Sequence, residues 1–176
     1  MASKIMDMTK ELAEDIVLFK VGKETPAASV SLTARTLRRI AAEVEATHGD
    51  LFVNMLRTLD CQTDNYSEVY SKIVESMFED HVINWGRIAV LFTFSGHLAL
   101  YCKQHGLQEE SDLVPLWLTS FVNKRLLKWI QNIGGWDSFN EHFKEKKADR
   151  GRWTDVICTM SVVVAGAAGA ALVFAR

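Results

Sequence analysis

Hydrophobic residues recur at helical spacing along most of the chain. Near the N-terminus, Ile5, Met8, Leu12, Ile16 and Phe19 follow one another at intervals of three or four residues. This spacing predicts an amphipathic helix over residues 3–20, because positions three and four apart share one face of a helix. Glycine and proline within residues 22–26 predict its end.

Two further helices are predicted before residue 60. The first begins near Ser31 or Thr33, and a shorter one lies around residues 52–59. The first carries four apolar residues on one face: Leu37, Ile40, Ala41 and Val44. A polar link over residues 62–65 then leads to a helix over residues 66–78.

The most apolar internal stretch covers residues 88–102, in which only His97 is ionisable near neutral pH. Fifteen residues are short for a membrane span, so this stretch predicts the buried central helix of a bundle. Gly106 ends it. Asp112 is expected to cap a following helix, with Pro115 in its first turn, that reaches residue 131. A short amphipathic helix over residues 136–143 completes an all-α chain without period-two alternation.

The C-terminal segment differs in composition from the rest of the chain. Residues 156–175 contain no charged side chain. As a helix that rises about 1.5 Å per residue, this segment is long enough to cross a bilayer. Five basic residues between 144 and 152 precede them and suit a headgroup surface. We therefore predict a helical domain at residues 1–150 and a C-terminal membrane anchor at 151–176. The alternative is a buried terminal core helix.

Composition and charge narrow the class of protein. The chain has 176 residues, of which 48% are hydrophobic and 24% charged, as expected for one globular domain. A formal net charge of -2 provides no basic field for nucleic acid, so no nucleic-acid partner is expected. The three cysteines are far apart, which fits a reducing, cytosol-facing environment, and the charged N-terminus is unlike a secretory signal.

No catalytic constellation is visible in the sequence. It contains no glycine-rich phosphate loop, no HExxH and no GxSxG, and we predict neither an enzyme nor a cofactor. His97, Cys102 and His105 resemble metal ligands only superficially. Helical offsets of five and eight residues spread them around the helix, so no metal site is expected.

Two short stretches are unusual. The first begins the central helix: Asn84 can cap the helix, Trp85 can bury its ring, and Gly86 permits close approach of another backbone. Arg87 then lies at the rim of the most apolar helix, where its fork suits a carboxylate, although it could equally be an ordinary surface arginine. The second stretch, residues 129–139, places two glycines between two tryptophan-bearing helices.

Together these stretches resemble the first and second homology motifs of the Bcl-2 family of apoptosis regulators. Residues 37–44, led by Leu37, look like the family's third homology motif (homology-3, or BH3), and residues 12–16 lie where a fourth would fall. The resemblance covers residues 11–143 and implies a bundle of seven to eight helices around a central apolar helix, plus a C-terminal transmembrane helix.

The resemblance also implies a surface groove that receives a partner's amphipathic homology-3 helix, which is a known helix-in-groove mode of recognition. Arg87 would pair with the partner's aspartate, with Asn84 hydrogen-bonding beside it and Gly86 close by. The implied apolar lining is Ile73, Met77, Leu91 and Phe94, with Phe52, Met55 and Leu56 on the facing wall. Each of these apolar residues could instead be ordinary core.

One departure from the family pattern is informative. The usual Gly-Asp of the homology-3 motif is replaced by Ala41-Ala42, so this chain is expected to receive homology-3 helices rather than donate its own. The short link after residue 22 argues against family members with a long regulatory loop, and the immediate N-terminal helix argues against those with a long leader. Residues 12–16, the Ala41-Ala42 substitution and the small-residue tail give the nearest likeness to the Bcl-2-like-10 group (Bcl-B or NR-13), with Mcl-1 second.

The resemblance implies a prosurvival regulator that binds the homology-3 helices of pro-apoptotic relatives of the Bax, Bak and Bim kinds. We expect it to face the cytosol, anchored by its tail to the outer mitochondrial membrane or the endoplasmic reticulum. A pro-apoptotic pore former of the same fold is the main alternative, and an enzyme is the least favoured.

Overall fold

A computed structural model describes residues 1–23, 30–60 and 65–144. All regular structure in these ranges is helical, as predicted. The helices are α1 (Ala2–Lys20), α2 (Leu32–Asp60), α3 (Tyr66–Ser76), α4 (Trp85–Gln104), α5 (Gln108–Phe121), α6 (Leu127–Asn132) and α7 (Trp136–Lys144). A π-helical turn, Val122–Leu126, joins α5 to α6 without a break. The described part of the chain therefore has six continuous helical segments.

The central position predicted for the apolar helix is confirmed. α4 is buried on all sides, from Trp85 and Gly86 at its start to Tyr101 and Cys102 near its end. A helix that is apolar all round has to be covered by other helices. α1, α2 and α5 pack directly against it. It begins three residues earlier than the apolar run because Asn84 caps it.

α2 corrects the prediction of two separate helices, since it runs unbroken for 29 residues. The buried face continues because Ala41 and Phe52, like Val44 and Met55, are eleven residues apart, which is close to three helical turns. His48, Gly49 and Asp50 interrupted the apolar pattern in the sequence. They lie on the parts of the helix that are partly or fully exposed, so they do not end it.

α5 corrects a second boundary. The helix begins at Gln108, with Leu107 in the capping position, and Asp112 lies inside it. The carboxylate of Asp112 accepts a hydrogen bond from Gln108 Nε2 at 2.7 Å rather than capping the helix. Pro115 is therefore in the second turn. Downstream, the helical segment reaches Asn132, close to the predicted residue 131, but a π turn interrupts its regular α-helical geometry.

A nearly buried ion pair joins α1 to α2. Arg38 Nε donates to Asp15 Oδ2 at 2.9 Å, and Arg38 Nη2 donates to the other carboxylate oxygen. The two side chains are only 12% and 11% exposed. The Arg38 guanidinium also lies 4.9 Å from the centre of the Phe19 ring. Planar, bidentate pairing of this kind fixes orientation as well as charge.

The predicted membrane anchor, residues 151–176, lies outside the described residues, and so does the proposed boundary at residue 150. Among the helices of the described ranges, none combines the length and apolar character that a membrane span requires.

We expect Asp15→Asn to lower the free energy of unfolding by about 3 kcal/mol, because it leaves Arg38 nearly buried without its counter-charge. Urea unfolding followed by circular dichroism measures the change. Lys10→Ala is the matched control, since the Lys10–Glu14 pair on the same helix is 69% and 53% exposed and its N–O distance is 3.9 Å. Equal stability of the two variants would contradict a stabilising role for the Asp15–Arg38 pair.

Candidate functional site

The two unusual sequence stretches meet at the indole ring of Trp85. Its ring centre lies 5.1 Å from that of Trp129, 5.2 Å from Trp136 and 5.3 Å from Phe139. The indole Nε1 donates to Ser138 Oγ at 3.2 Å, so the buried polar atom is satisfied. The start of α4 is thereby fixed against the α6–α7 corner.

The corner itself depends on two glycines in left-handed backbone conformations. Gly134 has φ +100° and Gly135 has φ +74°, which residues with a side chain adopt only with strain. The Gly135 amide donates to the carbonyl of Ile130 at 2.8 Å and closes the end of α6. The turn delivers Trp136 inward, where its Nε1 donates to Thr9 Oγ1 at 3.0 Å.

Asn84 caps α4 as predicted. Its Oδ1 accepts a hydrogen bond from the Arg87 amide at 2.8 Å, while its own backbone is extended. Gly86, two residues after Asn84, is buried. The cap places the Arg87 side chain on the first turn of α4, at the edge of the central helix, and leaves the Asn84 side-chain amide group for other contacts.

The Arg87 guanidinium already holds a carboxylate within the chain. Nη2 donates to Asp80 Oδ2 at 2.7 Å, and Nη1 donates to Asp80 Oδ1. Nη1 also reaches the carbonyls of Met77 at 3.0 Å and Val82 at 2.8 Å. Arg87 therefore organises the link between α3 and α4, and it is not the uncommitted surface arginine that the sequence allowed.

Asp80 is a residue of the candidate site that the sequence did not predict. Its Oδ1 also accepts from the Val82 amide at 3.0 Å, in an Asx turn next to His81, whose φ is +60°. The hydrogen bonds from Arg87 are the main cause that lowers the pKa of Asp80, with the Val82 amide second, and Asp80 in turn raises the pKa of Arg87. The sequence signal that could have identified Asp80 is the acidic pair Glu79-Asp80 in the link before Asn84.

The seven predicted apolar lining residues are all buried in one core cluster. None of the group Phe52, Met55, Leu56, Ile73, Met77, Leu91 and Phe94 exceeds 4% exposure. The Phe94 ring lies 6.2 Å from Phe52 of α2 and 6.4 Å from Tyr70 of α3. In this conformation α2 and α3 close over Phe94 of α4, and the seven residues form part of the core. A partner helix could enter only after α2 and α3 separate.

Three polar residues, Tyr70, Ser95 and His97, lie within this closed region. Tyr70 OH and Ser95 Oγ are 2.9 Å apart, and burial raises the pKa of Tyr70. His97 stacks on Phe52 with ring centres 5.0 Å apart, and its Nε2 lies 3.6 Å from Glu45 Oε1. Burial, and secondarily the charge of Lys20, lower the pKa of His97 to about 4 against the opposing effect of Glu45. The imidazole is therefore neutral at pH 7.

An open surface cleft lies elsewhere, between α3 and α5. It has a volume of about 410 Å³ and is lined by residues that include Val74, Leu116, Trp117, Phe121, Lys124 and Arg125. None of the predicted groove residues lines it. Within residues 1–23, 30–60 and 65–144, no group of three or more histidine, cysteine, aspartate or glutamate side chains could hold a metal ion.

A family model described as apoptosis regulator proteins, Bcl-2 family, matches residues 37–136. Rat apoptosis regulator BAX is 33% identical over 117 residues, which cover 66% of this chain and 58% of that protein. Dog apoptosis regulator Bcl-2 is 33% identical over 106 residues, covering 60% of this chain and 44% of that protein. The match thus spans about half the length of these relatives.

Solved structures share the fold. The zebrafish pro-survival protein NRZ, in complex with the Bad BH3, superimposes with a TM-score of 0.72 at 27% identity, covering 81% of this chain and 97% of that chain. Chicken BOK gives a TM-score of 0.68 over 81% of this chain and 97% of its own, but at 20% identity it speaks to the fold alone.

His97 should make the protein less stable in acid. Its pKa is about 4 in the folded protein against an ordinary 6.5, so the unfolded chain binds more protons between these values. Stability from this residue is complete above pH 6.5 and is lost as the pH falls toward 4.

We expect wild-type protein to lose about 1–2 kcal/mol more free energy of unfolding than His97→Gln between pH 7 and pH 5. Urea titrations at both pH values measure it. The difference between the proteins at pH 7 reports packing alone, so it is subtracted. Parallel pH dependence in both proteins would show that His97 does not titrate in this window.

Proposed function

The chain belongs to the Bcl-2 family of apoptosis regulators, and from that premise we propose that it is a prosurvival member that binds the homology-3 helices of pro-apoptotic relatives. Binding, rather than catalytic turnover, would be its mechanism. The partner's apolar residues would enter between α2 and α3, and its aspartate would meet Arg87.

The observation that carries this proposal is the placement of Arg87. It binds a carboxylate in bidentate geometry on the first turn of α4, and the next turns of the same helix carry Leu91 and Phe94 in the apolar floor. An amphipathic helix with apolar anchors and one aspartate matches a site of this composition. The zebrafish NRZ structure, which contains a Bad BH3, supports the same class of partner.

α2 supports the role of receiver. Ala41 of its homology-3 segment is buried and Ala42 is exposed, so the helix offers no carboxylate at the position where a donated homology-3 helix would carry one. The segment is also held in place: Arg38 pairs with Asp15, and Arg39 Nη2 donates to the carbonyl of Phe143 at 3.0 Å. Donation would require breaking these contacts.

The closed walls set the cost of binding. Phe52 and Tyr70 must move apart over Phe94 before an anchor residue can enter, which breaks aromatic contacts worth about 0.5–1.5 kcal/mol each. The anchors of the partner would replace that buried area. The affinity would therefore depend on the free-energy difference between the closed packing of α2 and α3 and the packing of the partner's anchors in their place. Pairing with Arg87 would set the register of the partner helix.

We further propose that the chain is closest to the Bcl-2-like-10 (Bcl-B or NR-13) group, with Mcl-1 second. The short link after α1 and the Ala41-Ala42 substitution support this grouping. We propose a cytosol-facing protein whose residues 156–175 anchor it to the outer mitochondrial membrane or the endoplasmic reticulum. Their uncharged composition is the support.

A pro-apoptotic pore former is the second candidate, and the similarity to BAX at 33% identity favours it. Such a protein would insert its apolar central helices into the bilayer. Leakage of dye from liposomes distinguishes the two functions. Permeabilisation by the purified full-length chain without any partner would support the pore, whereas inhibition of BAX-induced leakage would support the prosurvival role.

We expect Arg87→Ala to weaken binding of a homology-3 peptide to the full-length protein by about 2–5 kcal/mol, which is at least about 30-fold in Kd. The reason is loss of a charge-assisted bidentate pair with the peptide's aspartate. Fluorescence anisotropy measures the affinity. Arg35→Ala, exposed on the first turn of α2, is the control and should bind like wild type.

A matched peptide with Asp→Ala separates pairing from folding. If Arg87 pairs with that aspartate, the peptide change costs wild-type protein affinity but costs the Arg87→Ala variant almost nothing. Undiminished binding of the acidic peptide by Arg87→Ala would exclude the proposed mode of recognition.

Deleting residues 156–176 should leave peptide affinity unchanged and reduce protection of cells exposed to a death stimulus, because the binding face would no longer be concentrated at the membrane. Cell survival and membrane fractionation are measured together. Full protection by a deletion variant that is recovered in the soluble fraction would show that anchoring is dispensable.

A further inference from the structure

The Arg87 guanidinium has N–H donors on one edge that make no hydrogen bond within the described part of the chain. A guanidinium has five N–H donors: two on each Nη and one on Nε. Asp80 takes one donor from each Nη, so its carboxylate meets the guanidinium end on. The carbonyls of Met77 and Val82 both lie beside Nη1 and take its second donor.

The donors that remain are Nε–H and the second hydrogen of Nη2. Within the described ranges 1–23, 30–60 and 65–144, the hydrogen bonds of the Arg87 side chain all leave from Nη1 and Nη2, and Nε makes none. The buried polar side-chain atoms without a partner in these ranges are His97 Nε2, Asn123 Oδ1 and Asn140 Oδ1. Arg87 Nε is not among them, so it reaches solvent.

These two donors are parallel and adjacent on one edge of the planar group, and a carboxylate binds this edge with two hydrogen bonds. We propose that Arg87 binds two carboxylates at once, Asp80 end on and the partner's aspartate side on, and that Asp80 is the positioning residue that aims the open edge. This inference rests on the proposed function and concerns the same site.

Asp80 acts by limiting rotation of Arg87. An unpaired arginine loses rotamer freedom when it binds, and that loss counts against affinity. Here the α3–α4 link holds the guanidinium through Asp80 and two carbonyls before any partner arrives. The side chain of Asp80 is 53% exposed, so water screens its repulsion of the incoming carboxylate.

The opposing arrangement is competition, in which the partner's aspartate must displace Asp80 from Arg87. The two arrangements predict opposite effects of Asp80→Asn. The asparagine keeps an oxygen that can accept from the Val82 amide, so it tests the charge and the second hydrogen bond rather than the turn.

The experiment titrates the full-length chain with a homology-3 peptide that contains the aspartate and with a matched peptide carrying asparagine there. We expect Asp80→Asn to weaken binding of the acidic peptide about tenfold, and of the asparagine peptide less than about twofold. Asp80→Glu should recover part of the loss. Glu79→Gln, the exposed neighbouring acid, should bind both peptides like wild type.

A second readout follows the Arg87 Nε–H resonance in protein labelled with ¹⁵N-arginine. It should move on addition of the acidic peptide and stay in place with the asparagine peptide. Tighter binding by Asp80→Asn would overturn the inference in favour of competition, and equal weakening for both peptides would reduce Asp80 to a structural residue of the turn. Absence of peptide binding by wild type would overturn the proposed function and this inference together.

Discussion

The fold depends on burying α4, a helix with no face suited to water. Every described neighbour contributes to that cover, with α1, α2 and α5 packed along its sides and the aromatic rings of α6 and α7 against its first turn. Two of its three buried polar side chains are bonded within the helix: the Thr93 hydroxyl donates to the carbonyl of Ala89 and the Ser95 hydroxyl to that of Leu91. His97 is the exception, because its Nε2 is buried without a hydrogen bond. The apolar helix thus dictates the bundle, and the amphipathic helices take their orientation from it.

The helices themselves could be predicted from hydrophobic spacing, because each buried stripe repeats every three or four residues. The errors arose where local signals competed with tertiary packing. Two helices were predicted where α2 runs unbroken, because the buried face is interrupted at His48, Gly49 and Asp50 and resumes in register beyond them. Asp112 had the chemistry of a cap, yet the helix starts one turn earlier at Gln108. The π turn at Val122–Leu126 has no sequence signature of comparable strength.

The local structure at the start of α4 could also be predicted. Asn84 caps α4 and Trp85 is buried, as their positions before an apolar run suggested. Two features of the site could be recognised only from the three-dimensional structure. The ion pair of Arg87 with Asp80 joins residues seven apart across a turn in which His81 has a left-handed backbone. Helical periodicity does not predict such a contact. The closure of Phe52 and Tyr70 over Phe94 depends on how two helices approach a third, and the sequence only shows that all three rings are apolar or amphipathic.

The continuity of α2 has a mechanical meaning. One unbroken helix carries Arg38, which is clamped to α1, and Phe52, which closes the apolar site. Between them Glu45 pairs with Lys20 at the end of α1. Because the helix is unbroken, an outward displacement of α2 at Phe52 would also strain the pairs that Glu45 and Arg38 make with α1. The contacts between α1 and α2 therefore resist opening of the apolar site, although they lie outside it.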